Sequence, residues 1–301
     1  MKPKVGFVGL GEMGKWMAIN VAKAGFPLTV FDVRPEPVQE LVGHGAAAAA
    51  SSAHVAQESE VTLLCLPDTQ LVEAVTFKKD GLIQGLSAGS IVVDLSTINY
   101  MATLRIEQDL RAKGATLLDA PISGLEARAK DGTLTIMVGG DPQTFEKVRP
   151  ILDAMGKDII YMGKSGNGQL TKLVNQLFLN ISCAATAEIL PMAVKLGLDP
   201  EAVYKVVTTS TGRTFAFEFF TPYILENDFS HGYPLIKAYK DMISAAEISA
   251  HKGIPLPVVN ATAVTFQMAI AEGFGDLSKG GLIRVFETLL GTEFRKKKET
   301  K

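Results

Sequence analysis

VGFVGLGEMG, residues 5–14, is the stretch of sequence that decides the fold. Its first four residues form a short apolar run that predicts a buried strand, and the glycines that follow have the spacing GxGxxG at the start of a helical pattern. In this setting Gly9 allows a tight turn, Gly11 lets a pyrophosphate approach the backbone, and Gly14 lets helix and strand pack closely. The helix would point its free N–H groups at the phosphates. The stretch therefore predicts a dinucleotide-binding unit, with an ordinary tight strand-to-helix turn as the structural alternative.

The first half of the chain repeats this alternation of short apolar runs and helical patterns. Strands are predicted at residues 5–9, 28–31, 61–66, 91–95, 116–119 and 134–138. Buried strands with helices between them indicate a mostly parallel sheet that is covered on both faces and joined by right-handed crossovers. The alanine run 46–50 fits either a weak strand or the start of a helix.

From about residue 166 the pattern becomes helical. Helices are predicted at residues 170–196, 200–209, 234–252 and 257–272, with proline or glycine between them. We therefore predict an α/β chain with a Rossmann-type doubly wound sheet in residues 1–163, which binds the dinucleotide, and an all-helical domain in residues 164–301, which serves substrate binding and dimerisation. The long first helix and the apolar helical half favour a homodimer or homotetramer.

The overall composition is that of an ordinary globular protein. The chain has 301 residues, of which 47% are hydrophobic and 21% charged, and its net charge of -2 gives no sign of a basic face for nucleic acid. Residues 177–194 are strongly apolar, but they include Asn180, Glu188 and Pro191, which favours a core helix over a membrane span. We therefore expect neither a nucleic-acid partner nor a membrane partner.

The cysteine and histidine content narrows the setting further. The two cysteines, Cys65 and Cys183, lie in apolar runs, which excludes a disulfide framework and fits a reducing compartment. The first residues run into the predicted first strand without a signal-peptide pattern, so we expect a cytoplasmic protein. The four histidines are scattered and lack metal-ligand spacing, so we expect no metal.

Asp32 ends the second predicted strand, where a carboxylate can accept from the adenosine ribose hydroxyls and repel a 2′-phosphate. This favours NAD, although Arg34 could bind such a phosphate and leaves NADP possible. A turn or helix-capping aspartate is the structural alternative. Two further loops at strand ends should complete the pocket, since ligands lie outside the carboxyl ends of such strands. The candidate cofactor residues are Gly9, Leu10, Gly11, Glu12, Met13, Gly14, Asp32, Val33, Arg34, Leu66, Pro67 and Thr97.

The second half begins with GNGQLTKLVNQLFLN, residues 166–180. Lys172 and Asn175 are three positions apart, so a helix brings them onto neighbouring turns that face the same way. Gly168 is expected to leave bare backbone on that face, where a small substrate could approach. A lysine in an apolar helix is costly unless it is exposed, paired or functional, so Lys172 either reaches solvent, meets a structural carboxylate, or takes part in chemistry.

Five segments occur in a familiar order: FVGLGEMGKWMAINVAKAG, DAPISG, GTLTIMVGG, GNGQLTKLVNQ and KDMISAAEISAHKGIPLP. Together they make the chain resemble the β-hydroxyacid dehydrogenases, the family of 3-hydroxyisobutyrate dehydrogenase and tartronate semialdehyde reductase. The chain is more distantly similar to 6-phosphogluconate dehydrogenase. The resemblance extends to about Glu287. It implies an NAD(P)-dependent oxidoreductase that acts on a small anionic substrate.

The resemblance also implies roles for individual residues. Lys172 would be the catalytic acid/base, and Asn175 would orient the substrate. Ser123 and Gly124 would bind the substrate carboxylate, and Lys240 and Asp241 would close the site from the helical domain, with Lys240 beside the nicotinamide. Where the family commonly has a second glycine after Ser-Gly, this chain has Leu125, which adds bulk near the carboxylate pocket and leaves the exact substrate open.

Three functions remain open at this point. The first is hydride transfer between NAD(P) and the β-hydroxyl of a small acid, in which neutral Lys172 takes the hydroxyl proton and its ammonium returns it in reduction. Burial and the positive nicotinamide ring would both move the pKa of this amine toward working pH. The second is NADPH-dependent reduction of glyoxylate or succinic semialdehyde, against which Asp32 argues. The third is a non-catalytic dinucleotide-binding sensor, against which the presence of Lys172, Asn175, Ser123 and Lys240 argues.

Overall fold

The computed structural model describes residues 2–296. The chain forms two compact units, Met1–Lys172 and Leu173–Lys301. The first contains the sheet and the second is helical. The functional division at residues 163 and 164 stays a prediction.

Within the described residues, the strands of the first unit form a nine-stranded sheet with the order β3-β2-β1-β4-β5-β6-β8-β7, and β9 pairs with β8. The strands are β1 (Val5–Val8), β2 (Leu28–Phe31), β3 (Ala47–Ala48), β4 (Val61–Leu64), β5 (Ile91–Asp94), β6 (Thr116–Asp119), β7 (Ile122–Ser123), β8 (Leu134–Gly139) and β9 (Gly156–Gly163). β1 to β6 are parallel, with Val5 of β1 level with Leu28 of β2 and Val61 of β4. β8 runs antiparallel to β6 and β7 and parallel to β9. The strand order reverses between β1 and β4, which is the position where doubly wound sheets bind their ligands.

Helices cover both faces of this sheet. They are α1 (Gly14–Lys23), α2 (Pro35–Gly43), α3 (Ser52–Gln57), α4 (Thr69–Phe77), α5 (Leu82–Gly85), α6 (Tyr100–Ala112), α7 (Leu125–Lys130) and α8 (Pro142–Leu152). Phe7 of β1 packs into the core on one face, with Met17 of α1, whereas its neighbour Val8 packs into the core on the other, with Leu110 of α6. Because alternate side chains of β1 are buried on opposite faces, the strand reads as a continuous apolar run.

The second unit is built around the long helix α9 (Asn167–Lys195), which begins in the first unit. The helices that follow are α10 (Pro200–Thr208), α11 (Phe215–Leu225), α12 (Leu235–Ala238), α13 (Lys240–Lys252), α14 (Pro257–Ala271) and α15 (Ile283–Leu290), with a 3₁₀ turn at Lys279–Leu282. The core of this unit includes Leu190 of α9, Phe217 and Phe220 of α11, and Phe266 of α14. Two aromatic residues of α11 are therefore core residues.

The predicted fold class is confirmed, and the differences concern single elements. β7 and β9 were not predicted, and neither were α11 and α15. The helix predicted at 234–252 is two helices, α12 and α13, separated by Tyr239, whose backbone keeps the αR conformation. The alanine run forms the short strand β3, which pairs with β2.

Helix α9 is, among the described residues, the one helix that is long and apolar enough to cross a membrane. Core helices of other proteins meet the same criterion. Asn180, within the apolar stretch 177–194, is fully buried. It accepts a hydrogen bond of 2.6 Å from Lys279 Nζ in the second unit. This contact fits a core helix, and the predicted absence of a membrane partner stays a prediction.

Candidate active site

The glycine loop after β1 contains two glycines that the packing of the chain requires. Gly9 has a φ of +93°, and a Cβ there would lie 2.3 Å from the carbonyl oxygen of Cys65. A Cβ at Gly14 would lie 2.0 Å from the carbonyl oxygen of Gly9. Side chains at either position would force the loop away from β4 or from α1. These contacts explain the first and third glycines of the motif without any ligand.

Gly11, the middle glycine, is different. A Cβ at Gly11 would meet nothing within 4 Å among the described residues. Its lack of a side chain therefore leaves open space beside the backbone, as a closely approaching pyrophosphate requires. Helix α1 begins three residues later, with no side-chain cap on Met13 and no acidic residue in its first turn, within the described part of the chain. Its N-terminal N–H groups and dipole favour an anion at that end.

The carboxylate of Asp32 joins the end of β2 to this loop. One oxygen accepts from the backbone N–H of Leu10 at 2.7 Å, and the other accepts from the backbone N–H of Arg34 at 2.9 Å. The guanidinium of Arg34 lies beside them, with Nε 3.4 Å from Asp32 and one terminal nitrogen 3.3 Å from the carbonyl oxygen of Leu10. Val33, between them, is 87% exposed. Asp32 and Arg34, the two residues predicted to decide whether a 2′-phosphate is tolerated, therefore lie together at the loop.

The ends of β4 and β5 supply the two further loops. The hydroxyl of Ser96 accepts from the backbone N–H of Leu66 at 2.9 Å, which ties one loop to the other. Asp68 caps α4 by accepting from the N–H of Leu71 at 2.8 Å. Pro67 and Thr97 lie within these loops. All predicted cofactor residues of the first unit therefore lie at the carboxyl ends of β1, β2, β4 and β5, at one edge of the sheet.

The predicted carboxylate loop leaves β7 in an unusual backbone conformation. Ser123 pairs with Thr135 of β8, and the next two residues have positive φ, +146° at Gly124 and +59° at Leu125. Leu125, which begins α7 and is 46% exposed, thus occupies a left-handed conformation that favours glycine. The structure gives a physical reason for the glycine that the family commonly has here.

The first turn of α9 is fixed by a buried carboxylate that the sequence analysis did not identify as functional. Asp119, at the end of β6, accepts from the backbone N–H groups of Gly166 at 2.7 Å and Gln169 at 2.9 Å. Burial raises the pKa of Asp119 to about 6, although these N–H groups act in the opposite direction. The side chain of Gln169 donates to the carbonyl oxygen of Ser96 at 2.7 Å and accepts from the N–H of Ile98 at 3.1 Å.

The expectation that Gly168 offers open backbone to a substrate is wrong. A Cβ at Gly168 would lie 2.4 Å from the carbonyl oxygen of Met137 and 2.5 Å from that of Asp119. The glycine allows the start of α9 to pack against β6 and β8. Its role is therefore close packing, and no space for a ligand remains there.

Lys172 follows Gln169 by three residues on α9 and is buried, with 8% of its surface exposed. Asn175 lies three residues further along the same helix and is exposed, with its amide donating to Gln176 Oε1 at 3.2 Å. Burial of a lysine within an apolar helix excludes the simplest alternative, that Lys172 extends into solvent. This burial is costly for an amine that has neither a partner nor a function.

The second unit places Lys240 and Asp241 in the first turn of α13. Asp241 is buried and accepts from Gln176 Nε2 at 3.2 Å, whereas Lys240 is half-buried. This contact holds α13 to α9 through the residues next to Lys240 and Asn175. Lys279, which the sequence analysis missed, is also buried here, and burial lowers the pKa of its amine, with Cys183 and Asp241 acting in the opposite direction.

The residues 2–296 contain no group of three or more histidine, cysteine, aspartate or glutamate side chains that could hold a metal ion. The prediction that the reaction needs no metal is not tested by this finding.

Comparison with known proteins accounts for nearly the whole chain. A sequence model of the NAD-binding domain of 6-phosphogluconate dehydrogenase matches residues 4–163. A second, for the NAD-binding region of NADP-dependent 3-hydroxyisobutyrate dehydrogenase, matches residues 166–286. The chain is 36% identical to 2-(hydroxymethyl)glutarate dehydrogenase of Eubacterium barkeri, covering 96% of both chains. It is 33% identical to 2-hydroxy-3-oxopropionate reductase of Escherichia coli, covering 95% of this chain and 98% of the relative.

The solved structures agree. A structure of Mycobacterium tuberculosis 3-hydroxyisobutyrate dehydrogenase with L-serine superposes with a TM-score of 0.85 at 30% identity, covering 94% of this chain and 99% of that one. The chain therefore belongs to the β-hydroxyacid dehydrogenase family that includes 3-hydroxyisobutyrate dehydrogenase, as its motifs predicted. It is an NAD(P)-dependent oxidoreductase, and the open Gly11 and the uncapped start of α1 fit that cofactor.

Proposed function

We propose that this enzyme transfers a hydride between NAD(P) and the β-carbon of a short carboxylic acid, with Lys172 as the general acid/base. The observation that carries the proposal is a buried lysine one turn after the point where α9 is bonded to the strand ends of the nucleotide-binding sheet. These bonds fix the backbone one turn before the lysine, and burial shields the amine from water, which suits a positioned general acid/base.

The chemistry divides between cofactor and protein. NAD(P), when bound, supplies the hydride acceptor or donor. In oxidation, neutral Lys172 takes the proton of the β-hydroxyl as the hydride leaves the β-carbon, and the hydroxyl carbon becomes an aldehyde carbonyl. In reduction, the ammonium of Lys172 gives that proton to the carbonyl oxygen. Asn175, one turn further on, is proposed to orient the substrate.

The substrate class follows from the loop after β7. The hydroxyl of Ser123 and the backbone N–H of Gly124 can donate to a carboxylate, whereas the loop residues 123–125 contain no cation. Donors of this kind suit a small oxyanion at fixed geometry. The relatives named for 2-(hydroxymethyl)glutarate and 2-hydroxy-3-oxopropionate, and the structure with L-serine, share one feature, a carboxylate two bonds from an oxygen-bearing carbon. We therefore propose a small 3-hydroxy acid or the corresponding semialdehyde.

One assay tests this proposal directly. A panel of short 3-hydroxy acids and semialdehyde acids is screened for the absorbance change of the nicotinamide with NAD and with NADP. Each active acid is then compared with its amide or methyl ester. Loss of a charge-assisted hydrogen bond costs about 1.5–3 kcal/mol, so the neutral analogues should react more slowly by a factor of about 10 to 100. A neutral analogue that turns over as efficiently as its acid would exclude Ser123 and Gly124 as the anion site.

A second candidate is an NADPH-dependent reductase of a small semialdehyde acid. The observation in its favour is Arg34, whose guanidinium lies 3.4 Å from Asp32 at the loop where a 2′-phosphate would bind. Both candidates use the same site and the same proton transfer. They differ in the cofactor and in the favoured direction, and the cofactor comparison in the assay separates them.

We also propose that the enzyme is a homodimer or homotetramer. An exposed apolar stripe runs along α9 and includes the residue that follows it, at positions that recur with the helical period. Its members are Val174, Phe178, Ile189, Met192 and Leu196, of which Phe178 is 72% and Leu196 is 70% exposed. A second copy of the chain would remove this stripe from water. A cytoplasmic location is proposed as well, which the two free cysteines support.

The roles of Lys240 and Asp241 in binding substrate and cofactor are also proposals, and they rest on the family resemblance. Asp241 is already bonded to Gln176, so its contribution would come through the position of α13.

A further inference from the structure

Asp119 and Gln169 form a small network between the sheet and α9 that the reaction itself does not use. Asp119 is fully buried, and each of its carboxylate oxygens accepts one backbone N–H, from Gly166 and Gln169. These groups lie at the start of α9, where the first N–H groups of a helix have no partner within the helix. The carboxylate of Asp119, at the end of β6, thus caps the helix that contains Lys172.

Close packing makes this contact specific. A Cβ at Gly168 would lie 2.8 Å from Asp119 Oδ2, and a Cβ at Gly139 would lie 2.6 Å from Asp119 Oδ1. Glycine at both positions lets the backbone of β8 and the first turn of α9 approach one carboxylate together. A buried carboxylate is costly without partners, and this close approach supplies Asp119 with its two backbone N–H partners.

Gln169 extends the network to the loop after β5. Its side-chain amide donates to the carbonyl oxygen of Ser96 and accepts from the N–H of Ile98, and so it spans Thr97, a proposed cofactor residue. The side chain is buried, with 3% exposed. The side chain of Gln169 therefore makes hydrogen bonds to the backbone on both sides of Thr97. The backbone N–H of Gln169 donates to the carboxylate of Asp119, at the end of the strand that leads into the Ser123 loop.

We propose that Asp119 and Gln169 are positioning residues that hold Lys172 in register with the cofactor loop at residues 96–98 and with the substrate loop at residues 119–124. This inference rests on the proposed role of Lys172. Lys172 is one turn from Gln169, so a displacement of the first turn of α9 moves the amine by a similar distance. A misplacement of about 1 Å at a reacting group can lower the rate by about 100-fold.

The test uses Gln169→Met, which keeps the length of the side chain and removes both of its hydrogen bonds. Asn20→Met is the matched control, because Asn20 also donates from a partly buried amide to a carbonyl oxygen, that of Ala129 at 2.8 Å, in the same unit. Both variants lose stability. Gln169→Met should also lose kcat by about 30-fold or more and shift the pH profile of kcat, since the environment of the amine changes. Asn20→Met should keep the wild-type kcat and pH profile.

The outcomes separate this inference from the proposed function. If Lys172→Ala is inactive but Gln169→Met keeps the wild-type kcat and pH profile, the positioning role is wrong and the proposed function stands. If Lys172→Ala retains turnover, the proposed acid/base is wrong. Should Gln169→Met fail to fold, hydrogen exchange on the unmodified enzyme decides. The amides of Ile98, Gly166 and Gln169 should then exchange together at a slow rate, and exchange of any of them at the rate of a free loop overturns the proposal.

Discussion

The carboxylate of Asp32 accepts a hydrogen bond of 2.7 Å from the backbone N–H of Leu10. The end of β2 is therefore bonded to the glycine loop without any ligand. The predicted site for the adenosine end of the cofactor would in this way be preorganised, with the carboxylate held where the ribose hydroxyls are expected to lie.

This contact predicts a preference for NAD(H) over NADP(H). The side chain of Asp32 is 10% exposed and held by two backbone N–H groups, whereas that of Arg34 is 58% exposed and makes only long contacts of 3.3 and 3.4 Å, so repulsion of a 2′-phosphate should prevail. Catalytic efficiencies with the two cofactors test it. Asp32→Ser should shift the preference toward NADP(H) by about tenfold or more, and Arg34→Ala should weaken NADP(H) alone. A wild-type enzyme that prefers NADP(H) would mean that Arg34 dominates.

Replacing Lys172 with alanine should abolish turnover, by about 1,000-fold or more, and leave the Kd for NAD(H) nearly unchanged. The reason is that the variant loses the proposed proton acceptor but none of the residues at the glycine loop. Lys195→Ala is the control, since Lys195 lies on the same helix and donates a hydrogen bond of 3.0 Å to the carbonyl oxygen of Leu290. Retention of a tenth or more of wild-type turnover in Lys172→Ala would remove this residue from the mechanism.

Leu125→Gly should stabilise the protein by about 0.5–1 kcal/mol. Leucine at a φ of +59° costs roughly 1–2 kcal/mol of backbone strain, which glycine relieves. Glycine also raises the conformational entropy of the unfolded chain, which lowers the free energy of unfolding by about 0.5–1 kcal/mol. Urea unfolding measures the change. Leu125→Ala keeps a Cβ in the same conformation and should give no gain. If Leu125 also narrows the carboxylate pocket, the glycine variant should accept longer acids than the wild type does, and unchanged chain-length selectivity would argue against that part.

Asp119 should make the free energy of unfolding depend on pH. Burial raises its pKa from 3.8 to about 6, so between these values the folded state holds a proton that the unfolded state has lost. Its contribution to stability is therefore present below about pH 4 and is lost as pH rises to about 6, by about 3 kcal/mol in total. The measurement is the difference in unfolding free energy between wild type and Asp119→Asn from about pH 4 to about pH 7. A difference that stays constant across this range would contradict the predicted titration.

Much of the fold follows from local pattern, because most strands of the sheet are buried on both faces. β2 and β6 have the predicted bounds, 28–31 and 116–119. β9 escaped prediction because it lies outside β8 and is partly exposed, with Ile160 at 48% and Tyr161 at 38%, and its sequence GKDIIYMG shows no buried pattern. An outer strand of this kind forms by pairing with its neighbour, here β8, and its own sequence shows no strand periodicity.

The site was predictable to the extent that its residues lie in contiguous motifs. The glycine loop, Asp32 and Lys172 could be located from short spacings. Gln169 could not, because its side-chain partners are backbone atoms 71 and 73 residues away, and backbone atoms leave no trace in residue types. Gly168 was misinterpreted for a related reason, since a glycine that serves close packing and one that serves a ligand look the same in sequence.

Phe178→Glu should dissociate the proposed oligomer. Phe178 is the most exposed member of the stripe formed by Val174, Phe178, Ile189, Met192 and Leu196, with 72% of its surface exposed in the single chain. A carboxylate there would be buried unpaired at a subunit interface, at a cost of several kcal/mol, whereas it would be solvated in a monomer. Analytical ultracentrifugation over a range of concentrations measures the mass. Phe215→Glu is the matched control, because Phe215 is 60% exposed but lies on α11 and is not a member of the stripe, and this variant should keep the wild-type mass. A wild-type protein that sediments as a monomer, or a Phe178→Glu variant with the mass of the wild-type oligomer, would show that this stripe is not the interface.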